Sequence, residues 1–332
     1  MAAIEVQGLT KTFRTYKKEP GIAGALRGLV SRRFEYTTAV RDVAFSIESG
    51  ELVGFLGANG AGKTTTLKML AGLLYPTSGS ARVLGHVPWK REDGYRCQFA
   101  LLLGQKNQLW WDLPARESLE LNAKIYGIDA ISFQRTVDEL TELLLVREKL
   151  NVMVRELSLG ERMKMELIAA LLHQPKVLFL DEPTNGVDPA SRRDFWRILY
   201  QLLRERVTIF VSTAYLDEAE RANRVALMHK GKLLAVGTPE ELKKLMRGSL
   251  LEVRTDEPRR ATALLRNSLA QDSVGLFGDK VHILTNRGEE ATRQAEKALR
   301  VAGLESSSIR SIEPTLEDVF VSVLGNDEGG GA

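Results

Sequence analysis

The chain has 332 residues, more than one average domain holds, and its 44% hydrophobic content is enough for real packed cores. Its 46 basic and 43 acidic residues leave a formal charge of +3, a near balance that gives no reason to expect nucleic acid as the main partner. Cys97 is the sole cysteine, which excludes an internal disulfide and a thiolate metal cluster and fits a reducing compartment.

From the amino terminus, Ile4 to Gln7 alternate like an edge strand. From Lys17 to Tyr36 the bases Lys17, Lys18, Arg27, Arg32 and Arg33 accompany Leu26, Leu29, Val30 and Phe34 at near-helical spacing, after the breaker Pro20-Gly21. Two readings stay open there: a solvated surface insertion, or a short basic amphipathic helix touching acidic lipid headgroups or a membrane partner. Ala44 to Ile47 and Leu52 to Phe55 read as strands around the turn Glu48-Ser49-Gly50.

The second of these strands runs into Gly57-Ala58-Asn59-Gly60-Ala61-Gly62-Lys63-Thr64-Thr65, which opens a helical pattern from Thr65 to Leu74. Glycines at these positions let successive backbone N–H groups approach phosphate oxygens that a side chain would block. Lys63 can then reach the terminal phosphates and the Thr64 hydroxyl can ligate Mg²⁺, while the following helix points its positive end at the same anion. The pattern calls for a polyphosphate ligand.

Farther on, the pattern is mostly helical from about Ala115 to Leu150, and Val177 to Leu180 and Val207 to Val211 are continuous apolar runs of the kind buried on both faces of a parallel sheet. The first run ends in Asp181-Glu182, adjacent carboxylates whose directions differ because side chains alternate along a strand. Asp181 is assigned to the metal, directly or through water, and Glu182 to polarising the attacking water as general base. Met228 to Leu233 reads as a hairpin, and Thr238-Pro239-Glu240-Glu241 as a capped helix start. Beyond Arg247-Gly248, strands are expected at Leu250 to Arg254, Val274 to Phe277, Val281 to Leu284 and Ser308 to Ile312, with helices at about Pro258 to Leu269, Glu289 to Val301 and Thr315 to Leu324. His173, before Gln174-Pro175 at a helix end, is expected to supply a favourable C-terminal charge.

Leu157-Ser158-Leu159-Gly160-Glu161, between the phosphate loop and the carboxylate strand, resembles the Leu-Ser-Gly-Gly-Gln hallmark of the ATP-binding cassette (ABC) family of transport ATPases. A hydroxyl and bare N–H groups at a helix start bind an anion, and the resemblance implies that Ser158 and Gly160 hold the γ-phosphate of ATP bound to a second cassette. Leu159 and Glu161 depart from the motif. The resemblance also places Gln105 at the glutamine loop, touching Mg²⁺ and coupling to a membrane partner, and Phe13 as the aromatic on adenine, with Tyr16 as the fallback. Asn185-Gly186-Val187-Asp188 matches the loop that communicates between the two sites. Trp110 and Trp111 are read as interface aromatics, against a core-packing alternative. Ala214 stands where the family has a histidine that donates to the γ-phosphate, so turnover is expected to suffer.

Together these readings give an α/β chain: a P-loop NTPase of ABC type, with a mixed sheet core, over residues 1–248, its helical subdomain at about 108–170. A small α+β domain follows at 249–325, and a disordered tail at 326–332. The closing Glu313-Pro314-Thr315-Leu316-Glu317-Asp318-Val319-Phe320 resembles the daunorubicin-resistance type of exporter ATPase. The resemblance implies an ATPase subunit that couples cassette dimerisation to transport by separate transmembrane permease subunits. As partners it implies an identical or different second cassette, and peripheral attachment to the cytoplasmic face of the cell membrane. No apolar run approaches the roughly 18 to 20 residues that span a bilayer, and the amino terminus lacks a signal-peptide core, so a soluble chain is expected. The alternative is a regulatory cassette that binds ATP but hydrolyses it weakly beside a competent one. A ribosome- or DNA-acting cassette is disfavoured by the single phosphate loop and the lack of sustained heptads.

Overall fold

The computed structural model describes residues 2–17, 34–104, 108–246, 248–270, 272–304 and 306–329. The chain divides into two compact units, Met1–Pro239 and Glu240–Ala332. The division falls at the short helix that begins at Pro239 rather than at Gly248, because all but the first residue of that helix groups with the second unit.

The first unit contains β1 (Ala2–Tyr16), β2 (Phe34–Glu48), β3 (Leu52–Leu56), β4 (Ser78–Val83), β5 (Phe99–Leu103), β6 (Val177–Asp181), β7 (Thr208–Thr213), β8 (Arg224–His229) and β9 (Lys232–Gly237). They form a mixed sheet of order β5-β6-β7-β3-β8-β9 and an antiparallel sheet of order β2-β1-β4. β3, β6 and β7 are buried along their whole length, which explains why their sequences read as unbroken apolar runs. The two sheets meet over one core, where Phe45, Phe55, Phe210 and Phe179 form a chain of ring contacts with centroids 5.1 to 6.3 Å apart.

β1 is not an edge strand. It lies between β2 and β4 and buries Ile4, Val6 and Leu9. Register shifts, with Gly8 at φ +59°, break the strict alternation after Val6, so only the first few residues looked like a strand.

Helices α1 (Lys63–Leu70), α2 (Asp93–Arg96), α3 (Ala115–Tyr126), α4 (Ala130–Leu143), α5 (Leu159–Leu171), α6 (Pro189–Arg204) and α7 (Leu216–Ala219) complete the unit. The expected run from Ala115 to Leu150 is two helices, divided after Tyr126 by Gly127, which takes φ +68°, and restarted by Asp129, whose carboxylate accepts from Ile131 N and Ser132 N. The basic segment after Lys17 lies outside the described residues up to position 33, and Phe34 to Tyr36 belong to β2.

Strand register positions the functional edge. Asp181 pairs with Ser212, and Leu56 with Thr213, so β3, β6 and β7 end side by side. Open α/β sheets bind ligands beyond such carboxyl ends.

The second unit holds α8 (Pro239–Lys243) from Glu240 onward, β10 (Ser249–Thr255), α9 (Pro258–Ser268), β11 (Ser273–Phe277), β12 (Lys280–Thr285), α10 (Gly288–Val301), β13 (Ser306–Ile312) and α11 (Leu316–Gly329). Its antiparallel sheet has the order β11-β12-β10-β13, the arrangement of a βαββαβ ferredoxin-like unit. α9 and α10 cover one face through Ala261, Leu265, Ala291, Ala295 and Leu299. On the other, His282 Nδ1 lies 2.6 Å from Asp318 Oδ1 of α11. α11 runs through Gly329, past position 326, where a tail without structure is expected to begin.

Candidate nucleotide-binding site

β3 delivers the chain to the loop 57–62, and α1 takes it away. Gly62, the residue before α1, sits at φ +108°, and a Cβ there would come within 2.4 Å of the Ala39 carbonyl oxygen on β2. Only glycine meets both demands. Ala58, Asn59 and Gly60 form the exposed tip, Ala61 is buried beneath it, and Thr65 is half-buried in the first turn of α1.

Lys63 is buried, and its Nζ donates to Gly57 O at 2.6 Å and Ala58 O at 3.2 Å. It also pairs with Glu182 Oε1 at 3.2 Å. The Thr64 hydroxyl faces Asp181, at 2.9 Å from Oδ1 and 2.8 Å from Oδ2. The adjacent carboxylates therefore do diverge, Asp181 toward Thr64 and Glu182 toward Lys63. Glu182 holds φ +48°, a left-handed conformation costly outside glycine, and its N–H donates to Ser212 O at 3.0 Å and Ser212 Oγ at 3.2 Å.

The oxygen donors of Thr64 and Asp181 fit a small hard cation of the Mg²⁺ kind, held by few protein groups with substrate phosphates completing its shell. No cluster of three His, Cys, Asp or Glu side chains among the described residues could hold a metal without such help.

Gln105 lies outside the described residues. The described residues that flank positions 105–107 are anchored: Gly104 N donates to Asp181 O at 2.9 Å, and Gln108 N donates to the Glu166 carboxylate of α5 at 2.9 Å. Burial pushes the Glu166 carboxyl above its ordinary range. Phe13 is partly exposed on β1, paired with Thr37 near the Ala39 that abuts Gly62, and Lys11 Nζ stands 5.3 Å from its ring centroid. Tyr16 is turned toward Phe34, with centroids 6.1 Å apart.

Ser158 and Gly160 stand apart, with no hydrogen bond or ion pair to the Lys63 and Asp181 cluster among the described residues. Ser158 caps α5 by accepting from Glu161 N at 3.3 Å, and the Glu161 carboxylate accepts from Ser158 N at 2.9 Å. Glu161, where the hallmark has glutamine, thus completes a capping box. Gly160 lies so close to α6 that a Cβ would meet Ser191 Oγ at 2.3 Å and Asp188 Oδ2 at 2.8 Å.

Ala214 is exposed and lines a cavity of about 110 Å³ with Asn59, Glu182, Thr184, Asn185, Thr213 and Tyr215, and no histidine is among these residues. His173 is not a charged helix end: its ring stacks on Tyr126 at 4.0 Å, its Nε2 meets Phe99 O at 3.0 Å, and burial lowers its pKa, favouring the neutral form. Trp110 and Trp111 are both exposed, 54% and 44%, which excludes core packing for the pair.

Sequence reading missed Ser212, which donates to Asp181 Oδ1 at 2.6 Å and is wholly buried, and Glu218, which accepts from Thr213 Oγ1 at 2.8 Å. The signal was faint: a buried apolar strand that ends in two hydroxyls, Ser212-Thr213.

Fold and site together define a phosphate-loop nucleotide-binding domain of the cassette kind. The family model described as ABC transporter matches residues 40–185. The bacitracin transport ATP-binding protein BcrA of Bacillus licheniformis is 32% identical over 290 residues, covering 86% of this chain and 92% of that one. The daunorubicin resistance ATP-binding protein DrrA3 of Streptomyces coeruleorubidus is 33% identical over 300 residues, 89% and 94% of the two chains. The probable multidrug ABC transporter ATP-binding protein YbhF of Escherichia coli is 38% identical over 214 residues, 64% of this chain, but this match spans only 37% of YbhF. A solved ATP-binding subunit of an ABC transporter superposes with a TM-score of 0.61 at 26% identity, covering 73% of this chain and 92% of that one. The chain belongs to the ABC transporter family, as an ATP-binding protein of that family.

Proposed function

We propose that this chain binds and hydrolyses ATP as the motor subunit of an exporter whose membrane-spanning parts are other chains. The observation that carries the reading is the convergence of Lys63, Thr64, Asp181 and Glu182 within hydrogen-bond or ion-pair distance at the aligned ends of β3 and β6. The likeness to BcrA and DrrA3, proteins named for bacitracin transport and daunorubicin resistance, over 86% and 89% of this chain supports export.

In this reading the loop N–H groups from Gly57 to Gly62, Lys63, Thr64 and Thr65 cradle the phosphates, and Phe13 stacks on the adenine. Lys63 exchanges the Gly57 and Ala58 carbonyls for phosphate oxygens and releases Glu182 from its ion pair. Thr64 and Asp181, with Gln105, would hold Mg²⁺, which supplies charge neutralisation at the β- and γ-phosphoryl oxygens. Glu182 takes a proton from water as the water oxygen attacks the γ-phosphorus and the bond to ADP breaks, giving ADP and phosphate.

Ser158 and Gly160 act on the ATP of a second cassette, identical or not, and the exposed Trp110 and Trp111 face the transmembrane subunits. No helix among the described residues is long and apolar enough to cross a membrane. The proposed location, which follows from the family likeness, is the cytoplasmic face of the cell membrane, held there by those partners, with no nucleic acid involved. The accessory unit after Pro239 dimerises or regulates. A cassette that only binds ATP is not favoured, because the phosphate loop and both carboxylates are in place.

The test is nucleotide binding and turnover by the purified chain. Lys63→Ala should abolish ATP binding, and retained affinity would refute the phosphate-loop assignment. Glu182→Gln should bind ATP, stop turnover and accumulate a dimer on size exclusion; unchanged turnover would remove Glu182 from its role.

A further inference from the structure

Glu218 is wholly buried, an unusual position for a carboxylate, and neither phosphate nor metal chemistry uses it. Its Oε1 accepts from the Thr184 hydroxyl and its Oε2 from the Thr213 hydroxyl at 2.8 Å. Arg192 Nε, from α6, lies 3.6 Å from Oε1. Thr213 Oγ1 in turn accepts from Tyr215 N at 2.9 Å.

The placement of these partners matters more than their number. Thr184 follows Glu182 by two residues, and Thr213 precedes Ala214. One carboxylate therefore ties the turn that carries Glu182 to the turn that carries Ala214, and Thr184 and Thr213 both line the cavity between them. Ala214 puts no polar side-chain atom into that cavity. Alignment of Glu182 with a water there then depends on how the two turns are held.

We propose that Glu218 is a positioning residue for hydrolysis: by bridging Thr184 and Thr213 it fixes Glu182 against the attacking water, without touching substrate. The inference rests on the reading of Glu182 as the base. A shift of the base by about 1 Å costs on the order of 10²-fold in rate, whereas the phosphate loop, which binds ATP, lies on other segments.

The experiment measures kcat, KM and equilibrium ATP affinity of the full chain for wild type, Glu182→Gln, Glu218→Leu, Glu218→Gln, Thr213→Val and the Glu218→Leu/Thr213→Val double variant, with circular dichroism to confirm folding. Wild-type turnover that vanishes in Glu182→Gln secures the underlying reading; its absence overturns that reading and this inference with it. Given that turnover, Glu218→Leu and Thr213→Val should each lower kcat by roughly 10 to 10²-fold with ATP affinity within about twofold. Glu218→Gln, still able to span two hydroxyls, should recover most of the loss. The double variant should be no worse than the poorer single one, since the groups act as a unit. Should Glu218→Leu misfold, Thr213→Val and Glu218→Gln still decide the matter. A folded Thr213→Val with wild-type kcat, losses that multiply in the double variant, or a fall in ATP affinity matching the fall in kcat would overturn the proposal.

Discussion

At the scale of single residues, Ala214 has the largest consequence. A transition-state donor is typically worth about 10² to 10³ in rate. Ala214→His should therefore raise kcat by about 10²-fold, read in a steady-state phosphate-release assay, and a variant no faster than wild type would show that the cavity is already completed by other groups. The phosphate loop and the Asp181-Glu182 pair were legible because each is a contiguous string whose chemistry follows from its spacing. Ser212, Thr184 and Glu218 were not: they meet Asp181 or each other only through the parallel register of β6 and β7, a relation across about thirty residues that no local pattern encodes. His173 misled for a similar reason, since the ring it stacks on, Tyr126, lies on a different helix.

At the scale of elements, the start of α5 rests on the reciprocal Ser158 and Glu161 bonds and on the absence of a side chain at position 160. Ser158→Ala should cost about 1 kcal/mol of stability, measured by urea unfolding of the full chain. Gly160→Ala should cost more than Ser158→Ala, because a Cβ at 2.3 Å from Ser191 Oγ forces α5 and α6 apart. Equal stability of wild type and Gly160→Ala would mean that the helices separate freely. Helices and buried strands were legible by period, and Glu161 reads as a departure from the hallmark until the capping box gives it a structural task. β1 was only partly legible, because its bulges disrupt the two-residue repeat.

At the scale of the whole molecule, the second unit carries its own acid limit. Burial pushes the Glu252 carboxyl up, but hydrogen bonds from Lys280, Arg254 and Arg310 outweigh it and hold the group down to about 2, against an ordinary 4.5. A carboxylate depressed on folding stabilises the native state above its unfolded pKa, and that contribution is lost as pH falls through the folded value. The stability advantage of wild type over Glu252→Gln should be full above pH 4.5 and should disappear as the pH approaches 2, followed by unfolding of the full chain across that window. An advantage that does not change with pH would contradict the assignment.

The central claim is the proposal that this cassette hydrolyses ATP through Glu182 although Ala214 stands where the family resemblance calls for a histidine. Steady-state ATPase activity with Mg²⁺, wild type beside Glu182→Gln and Ala214→His, tests it most directly. Measurable wild-type turnover, lost in Glu182→Gln and raised in Ala214→His, is the predicted result. Negligible wild-type turnover that only Ala214→His restores would contradict it and make this chain an ATP-binding subunit that depends on a catalytic partner.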